Sequence, residues 1–468
     1  MSKPFDIAIL GGGPGGYAAA IKAAALGLRV VLIENIAVGG TCLHRGCIPT
    51  KALIACANTL HTVQRADLFG IHVENISWDY KKMHSRTNSI VSGIHQSLKG
   101  LLATYSNITI IYGFGSFISP REIKIQKNEG SGEIISAKSI VIATGSSPVD
   151  LPFAPCDHKK IFNSTSILTI SKLPKSMVII GGGYIGCEFA NLFTLLGVKV
   201  TLVESMESII SQQGKVLSRG LTDAMKKHGT KILTNCIVQS IESDQKEVIT
   251  TVATGEKITT DIALVAVGRS VNTKSLGLQS IALNVNDRGY IDVNDKMETN
   301  VAGIFAIGDV TGKSMLAHVA SHQGVVAAIN ISGGEAIMHY NAIPSIIFCH
   351  PEIAMVGLTE EQAIENGYTV ITGKFPFQAL GKSQAISETE GFTCIVADAK
   401  TKQILGAQII GYQASILIAE IALAIANELT LECISETIHA HPTLPEATLE
   451  ASLAALGTPL HLPQKKRV

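Results

Sequence analysis

The stretch FDIAILGGGPGGYAAAIKAAALGLRVVLIE, residues 5–34, decides the fold of this chain. An apolar run, a glycine-rich turn, a segment of helical composition and a second apolar run indicate strand, turn, helix and strand. Gly11, Gly13 and Gly16 have the G-x-G-x-x-G spacing, and Glu34 ends the second strand. Those glycines allow a tight turn, close approach of backbone to a pyrophosphate, and packing of helix on sheet. The stretch therefore predicts a dinucleotide site, with the acid on the ribose hydroxyls.

The same order recurs in MVIIGGGYIGCEFANLFTLLGVKVTLVE, residues 177–204. Gly181, Gly183, Gly186 and Glu204 repeat the spacing of the first unit. A lone glycine motif is weak, but two copies in the full strand and helix context are specific. Two units predict one tightly bound flavin dinucleotide and one exchangeable nicotinamide dinucleotide. The residues SMES after the second acid include no arginine to hold a 2′-phosphate, which favours NAD over NADP.

The composition is typical of a large cytoplasmic α/β enzyme. The chain has 468 residues, of which 46% are hydrophobic and 16% charged, and it contains 43 glycines. Lys plus Arg equals Asp plus Glu at 38 each, so no overall field attracts nucleic acid or an anionic membrane. The basic tail of Lys465, Lys466 and Arg467 is interpreted as a solvated terminus. The first residues lack the pattern of a signal peptide, and no export is expected.

One apolar segment resembles a membrane span in its composition. Residues 415–434, SILIAEIALAIANELTLECI, are interrupted by the polar residues Glu420, Asn427, Glu428 and Glu432. Charges at bilayer depth are costly. A helix in a core or a subunit interface is therefore expected.

Three further apolar runs end at small or acidic residues: IVIATG (140–145), ALVAVGR (263–269) and GIFAIGD (303–309). Each is compatible with a plain buried strand, but beside the two glycine units they fit strand ends that approach a cofactor. From about residue 343 prolines and aromatics appear and no third glycine motif follows. The predicted divisions are 1–148 for the first dinucleotide domain, 149–270 for the second, 271–342 for a return to the first, and 343–468 for a C-terminal domain.

The segment GGTCLHRGCIPTK, residues 39–51, holds two cysteines five positions apart. A zinc site lacks further ligands at suitable spacing, so no metal is expected. A structural disulfide would close a loop too short to stabilise much. A catalytic dithiol remains, and the helical composition after Cys47 predicts a helix whose positive end favours a thiolate there.

Together, GGTCLHRGCIPTK, the two glycine units, IATG, AIGD and HAHPTLPE resemble the class I pyridine nucleotide-disulfide oxidoreductases, a family of flavoproteins. Within it the chain is most similar to the branch that oxidises dihydrolipoamide as the E3 component of 2-oxo acid dehydrogenase complexes. The resemblance covers the whole chain. It implies two Rossmann-like dinucleotide-binding domains, for FAD and for NAD, plus a C-terminal α+β dimerisation domain. It also implies a homodimer that acts on lipoyl domains of E2 acyltransferases, or on the H protein of the glycine cleavage system.

The resemblance also implies roles for single residues. Cys42 matches the interchange thiol and Cys47 the thiolate against the flavin, the two forming a redox-active disulfide. Lys51 matches the flavin-facing lysine and Glu188 its carboxylate partner. The further cofactor contacts that it implies are Thr41, Gly115, Ala143, Thr144, Gly145, Tyr184, Ile185, Val238, Gly268, Asp309, Met315, Leu316, Ala317 and His318.

The segment HPTLPE supplies the expected base. Its spacing lets a turn bring the carboxylate of Glu446 back to His441, which orients the imidazole and raises its basicity. His439 is expected to point elsewhere in an extended segment. The alternative is that His441 and Pro442 form only an ordinary turn and that His441 has no catalytic role. In family members this histidine reaches the disulfide of the other subunit.

Two other functions stay open on the sequence. A sister reductase acting on glutathione with NADPH is disfavoured by the missing arginines after Glu204. An inactive flavoprotein that only binds a partner is opposed by the intact cysteines, histidine and glutamate. His44 stands where the family usually has asparagine, and it adds a titratable group beside the cysteine pair. Thr50 and Pro445 are the other departures from the pattern.

Overall fold

Twelve helices and twenty-one strands account for the regular structure in the computed structural model, which describes residues 4–463. The tail residues Lys465, Lys466 and Arg467 lie outside this range. The helices are α1 (Pro14–Ala25), α2 (Gly40–Arg45), α3 (Cys47–Gln64), α4 (Tyr80–Ala103), α5 (Tyr184–Leu195), α6 (Lys215–Lys227), α7 (Ala317–Ile331), α8 (Glu360–Glu365), α9 (Gly381–Ala385), α10 (Ala414–Ala426), α11 (Leu431–Ser435) and α12 (Glu446–Ala455). The strands are β1 (Phe5–Leu10), β2 (Val30–Glu34), β3 (Ile108–Ser119), β4 (Glu122–Lys127), β5 (Glu133–Ile142), β6 (Ser146–Pro148), β7 (Ile161–Asn163), β8 (Ser176–Ile180), β9 (Lys199–Val203), β10 (Lys231–Leu233), β11 (Val238–Ser243), β12 (Val248–Val252), β13 (Lys257–Thr260), β14 (Ile262–Val265), β15 (Arg269–Val271), β16 (Ile304–Ala306), β17 (Ser345–Ile347), β18 (Glu352–Gly357), β19 (Val370–Pro376), β20 (Phe392–Asp398) and β21 (Ile404–Gly411).

The first sheet is built around the first glycine unit. Strand β1 pairs in parallel with β2 and β5, and β16 extends the sheet in parallel from β5. Helix α7 follows β16 and packs on α1, where Gly324 lies so close to Gly15 that a Cβ would meet its carbonyl oxygen at 2.4 Å. The chain therefore returns to its first sheet after the second unit.

The second sheet is built around the second glycine unit. Its five strands run in the order β10-β9-β8-β14-β7, and every pair is parallel. Apolar side chains such as Ile179, Leu202 and Leu264 are fully buried between this sheet and its helices. Strands β11–β13 form a separate antiparallel sheet beside it.

The third sheet is antiparallel, with the order β17-β18-β21-β20-β19. Strand β21 is buried along its whole length, and α10 and α12 contribute Ile421 and Ala451 to the same core. The apolar segment of residues 415–434 is divided, because α10 ends at Ala426 and α11 begins at Leu431. None of the helices within residues 4–463 has both the length and the apolar character that crossing a bilayer requires.

The two glycine turns have the same geometry. Gly11 and Gly181 have φ of +104° and +105°, a region that L side chains rarely adopt. A Cβ on Gly16 would lie 1.8 Å from the carbonyl oxygen of Gly11, and one on Gly186 would lie 1.9 Å from that of Gly181. The third glycine is thus required for the helix to start against the turn. The predicted α/β architecture with two β-α-β units is confirmed.

Candidate active site

A cavity of about 1800 Å³ opens at the carboxyl ends of the first sheet. Most of the residues that the sequence singles out line it. They are Gly11, Gly13, Glu34, Thr41, Cys42, Cys47, Lys51, Gly115, Ala143, Thr144, Gly145, Tyr184, Ile185, Glu188, Asp309, Met315, Leu316, Ala317 and His318. The structure thus brings together residues from the first glycine unit, the cysteine segment, α5 and the start of α7.

The acid at the end of β2 is held by backbone. Glu34 is 8% exposed, and its carboxylate accepts hydrogen bonds from the N–H groups of Gly12 at 2.7 Å and Ile36 at 2.7 Å. Glu204 holds the second turn in the same way, accepting from Gly182 at 2.6 Å and Met206 at 2.8 Å. Since a carboxylate has about four acceptor positions, each acid retains capacity for a ribose hydroxyl.

The N-terminal ends of α1 and α5 fit the diphosphate of a dinucleotide. Neither helix has an acidic residue in its first turn or a side chain that caps its N–H groups. A Cβ on Gly13 would find its nearest neighbour at 4.0 Å, and one on Gly183 would find none within 4 Å. Both turns therefore leave room and N–H donors where an anion is favoured.

The two cysteines occupy neighbouring helices. Cys42 lies in α2, and Cys47 is the first residue of α3. The sequence predicts a helix at this position. Gly46 joins the helices so tightly that a Cβ there would lie 2.9 Å from the carbonyl oxygen of Thr41. Both cysteines are free thiols.

The thiols titrate very differently. A hydrogen bond from the Cys42 thiol, with help from the Lys51 cation and against burial, lowers the pKa of Cys47 to about 7. Donating that hydrogen bond, together with burial, raises the pKa of Cys42 well above its usual range. Near neutral pH the pair therefore consists of a thiolate at Cys47 and a protonated thiol at Cys42.

A partly buried ion pair lies beside the thiols. The Lys51 ammonium donates to both carboxylate oxygens of Glu188, at 2.7 and 2.9 Å. The Phe348 N–H donates to the same carboxylate at 3.0 Å, and the ammonium lies 4.8 Å from the centre of the Phe348 ring. Helix α3, helix α5 and the chain after β17 thus meet at one point. Sequence reasoning missed Phe348, since it follows no motif.

Asp309, which also lines the cavity, is held by a hydroxyl group. Its carboxylate accepts a hydrogen bond from the Ser146 hydroxyl. Arg269 donates to the hydroxyl and to the carbonyl oxygen of Ser146, both at 2.7 Å. Neither Ser146 nor Arg269 was assigned a role from the sequence, although the run ALVAVGR ends at that arginine.

The expected base forms a pair with its carboxylate outside the cavity. The Nδ1 atom of His441 lies 2.8 Å from a carboxylate oxygen of Glu446, and the other oxygen accepts from the Thr443 N–H at 2.8 Å. Burial opposes ionisation, but the Thr443 and His441 hydrogen bonds prevail and lower the pKa of Glu446. The His441 side chain is 76% exposed. Within one chain the base and the thiols therefore do not share a cavity.

The neighbouring histidines have other partners. His439 points away from this pair, with Nε2 3.0 Å from the carboxylate of Glu420 on α10. His44 does not line the cavity, because its Nε2 atom lies 2.9 Å from the carbonyl oxygen of Val38. The Nδ1 atom of His95 lies 3.1 Å from the same oxygen.

The remaining predicted contacts lie outside the cavity. Gly16 is enclosed by its own turn, and Gly181, Gly183, Gly186 and Glu204 form the second turn. Val238 is buried in the apolar cluster of the second sheet, and Gly268 precedes β15 with φ of +130°. Across residues 4–463 no three His, Cys, Asp or Glu side chains are arranged to hold a metal.

Comparison with known families gives two matches. Residues 5–324 match the family described as pyridine nucleotide-disulphide oxidoreductase. Residues 343–452 match the dimerisation domain of the same description.

Similar proteins cover the full chain. A dihydrolipoyl dehydrogenase of Chlamydia pneumoniae is 49% identical over 99% of this chain and 100% of its own. One of Geobacillus stearothermophilus is 40% identical over 97% of each chain. Among solved structures, LpdA from Mycobacterium tuberculosis superposes with a TM-score of 0.90 at 27% identity, covering 95% of this chain and 98% of its own. The HOCl-induced flavoprotein disulfide reductase RclA from Escherichia coli gives 0.85 at 27% identity, covering 96% and 99%.

Proposed function

The chain belongs to the pyridine nucleotide-disulphide oxidoreductase family, and from that premise we propose that it oxidises dihydrolipoamide to lipoamide while reducing NAD+ to NADH. The observation that carries this function is the thiolate and thiol pair of Cys47 and Cys42 on the wall of a dinucleotide-sized cavity, beside the Lys51 ion pair. Relatives named dihydrolipoyl dehydrogenase, similar over the full chain, support the choice of substrate.

The first half-reaction is thiol and disulfide exchange. In the oxidised enzyme Cys42 and Cys47 are joined, and His441 takes the proton from one thiol of dihydrolipoamide. The resulting thiolate attacks the Cys42 sulfur, the Cys42–Cys47 bond breaks, and Cys47 leaves as a thiolate. The low pKa of Cys47 makes it a good leaving group. The second substrate thiol loses its proton to solvent, attacks the substrate sulfur of this mixed disulfide and displaces Cys42. Cys42 takes a proton from His441, and lipoamide is released.

The second half-reaction restores the disulfide. The first glycine turn and the cavity would hold FAD, which when bound would supply the two-electron chemistry that links the dithiol to NAD+. Lys51 and Glu188 hold a fixed pair of charges beside Cys47 throughout. Glu204 and the second glycine turn bind NAD+, and the carboxylate of Glu204 repels a 2′-phosphate.

We also propose that the active enzyme is a homodimer. The dimerisation-domain match at residues 343–452 supports association of two copies. His441 is exposed and does not line the cavity of its own thiols, so a second subunit is needed to bring base and thiols together. The substrate thiols are then those of lipoyl domains of E2 acyltransferases, or of the H protein of the glycine cleavage system. Apart from the redox pair of Cys42 and Cys47, the other seven cysteines are free thiols, which suits the reducing cytoplasm.

One assay tests the function. Purified protein is mixed with dihydrolipoamide and NAD+, and NADH formation is followed; a parallel reaction contains glutathione disulfide and NADPH. NADH formation with no consumption of NADPH is expected. A protein with full FAD content that forms no NADH contradicts the proposal, and rapid use of glutathione disulfide identifies the sister reductase instead.

A further inference from the structure

We propose that Arg45 binds the diphosphate of the flavin dinucleotide, an assignment that rests on the FAD site of the proposed function. Arg45 lies between the two cysteines in sequence and lines the large cavity. Its guanidinium makes no hydrogen bond or ion pair with any residue in the described range 4–463, and its Nε atom is closed off from solvent. No motif in the sequence drew attention to it.

A buried donor without an acceptor is costly, and a charged one more so. Arg45 as a whole is half-buried, and because it lines the cavity its charge is open to an acceptor from outside the chain. Of the carboxylates on the cavity wall, Glu34 accepts backbone N–H groups, Glu188 holds Lys51 and Asp309 accepts from Ser146. The fourth, Asp287, is exposed and makes no ion pair with the arginine. The missing acceptor is accordingly an anionic group of a ligand in the cavity.

The position of α2 indicates which group this is. A Cβ on Gly40, at the start of α2, would lie 2.7 Å from the Cα of Gly13, so α2 begins against the first glycine turn. Thr41 and Arg45 are one helical turn apart on the same face of α2, and both line the cavity. The arginine thus belongs to the wall that meets the N-terminal end of α1, where a diphosphate is favoured.

The diphosphate is the anionic group of FAD, which makes it the counterion that this cavity offers to Arg45. The diphosphate of NAD+ is a poorer candidate, because Gly181, Gly183 and Gly186 of the second turn do not line this cavity. A planar guanidinium forms paired hydrogen bonds with phosphate oxygens, which an ammonium does not reproduce. Arg45 therefore adds a positive charge to the diphosphate site that the N–H groups of the first glycine turn form.

The test measures ligand binding to protein from which flavin has been removed. Wild type, Arg45→Met and Arg45→Lys are titrated with FAD, with riboflavin, which lacks the phosphates, and with ADP as a competitor of FAD. For Arg45→Met we expect FAD and ADP to bind about 10- to 100-fold more weakly, the loss of one charged hydrogen-bonding contact, with riboflavin unchanged. The affinities of Arg45→Lys for FAD and ADP should lie between those of wild type and of Arg45→Met.

Equal affinity of wild type and Arg45→Met for FAD overturns the assignment, as does an equal loss for FAD and riboflavin, which marks general damage to the fold. If the methionine variant does not fold, the lysine variant decides, since it should weaken FAD and ADP but not riboflavin. A wild-type protein that binds no FAD contradicts the proposed function itself, which separates the two failures.

Discussion

Replacing Lys51 by methionine should raise the pKa of Cys47. The Lys51 cation lowers this pKa, whereas burial and the Glu188 carboxylate raise it. Removing the cation leaves the carboxylate of Glu188 without a counter-charge, so that its negative charge acts on the thiol in full. Glu188→Gln should have the opposite effect, because it removes the anion and keeps the cation.

The magnitude follows from the geometry of α3. Cys47 and Lys51 are one turn apart, which places their Cβ atoms about 6 Å from each other. Unit charges separated by about 7 Å at an effective dielectric constant of about 20 interact by about 2 kcal/mol, or roughly 1.5 pKa units. The Lys51 side chain is 33% exposed, so water screens part of this interaction. We expect an increase of about one pKa unit in Lys51→Met.

The assay is a pH titration of thiolate absorbance in the ultraviolet. It is made in a Cys42→Ser background, whose hydroxyl keeps a hydrogen-bond donor beside Cys47. The spectrum of the Cys42→Ser, Cys47→Ser protein is subtracted, so that the difference reports Cys47 alone. Exposed Lys99 on α4 supplies a matched control, since Lys99→Met should leave the midpoint unchanged. A midpoint in Lys51→Met equal to that of its parent refutes the electrostatic reasoning.

Three further changes have clear expected results. His441→Gln should keep FAD and lower turnover by about 10²- to 10⁴-fold, measured as NADH formation, because the general base is lost; unchanged turnover contradicts that role. Gly186→Ala should lower the melting temperature, since its Cβ would lie 1.9 Å from a carbonyl oxygen, whereas Gly183→Ala has nothing within 4 Å and should leave it unchanged. Burial lowers the pKa of His61 and of His350 from 6.5 to about 4. Between these pH values both imidazoles stay neutral in the folded protein, whereas in the unfolded chain they take up protons. The corresponding stability is present above pH 6.5 and lost as the pH falls towards 4. In urea titrations the double variant His61→Gln, His350→Gln should lose less of its free energy of unfolding between pH 6.5 and pH 4 than wild type does. An equal loss in variant and wild type argues against a contribution from these two histidines.

Features that depend on neighbours in sequence were predictable. The tight turn at Gly11, the approach of helix to turn at Gly16 and the acid at Glu34 are set by backbone sterics and hydrogen bonding within one β-α-β unit. The helix that begins at Cys47 and the turn that joins His441 to Glu446 are local in the same sense. The spacing of these residues in the sequence is therefore enough to predict how they are arranged.

Features that join distant parts of the chain depended on the tertiary structure. The Phe348 N–H meets Glu188 because the third sheet packs on α5, and no spacing in the sequence encodes that contact. Only the folded structure shows that the Nε atom of Arg45 is closed off from solvent and has no acceptor. The exposed position of His441, away from the cavity that contains Cys42 and Cys47, is likewise a property of the folded chain.

The sequence by itself thus determined the two β-α-β units, the neighbouring positions of Cys42 and Cys47 and the pairing of His441 with Glu446, because each rests on residues within one or two elements. The tertiary structure alone decided which charges in the cavity are compensated, and whether base and thiols lie in the same chain's site. Burial and long-range packing govern both questions, since the cost of a charge and the distance between two elements are fixed only when the sheets and helices come together.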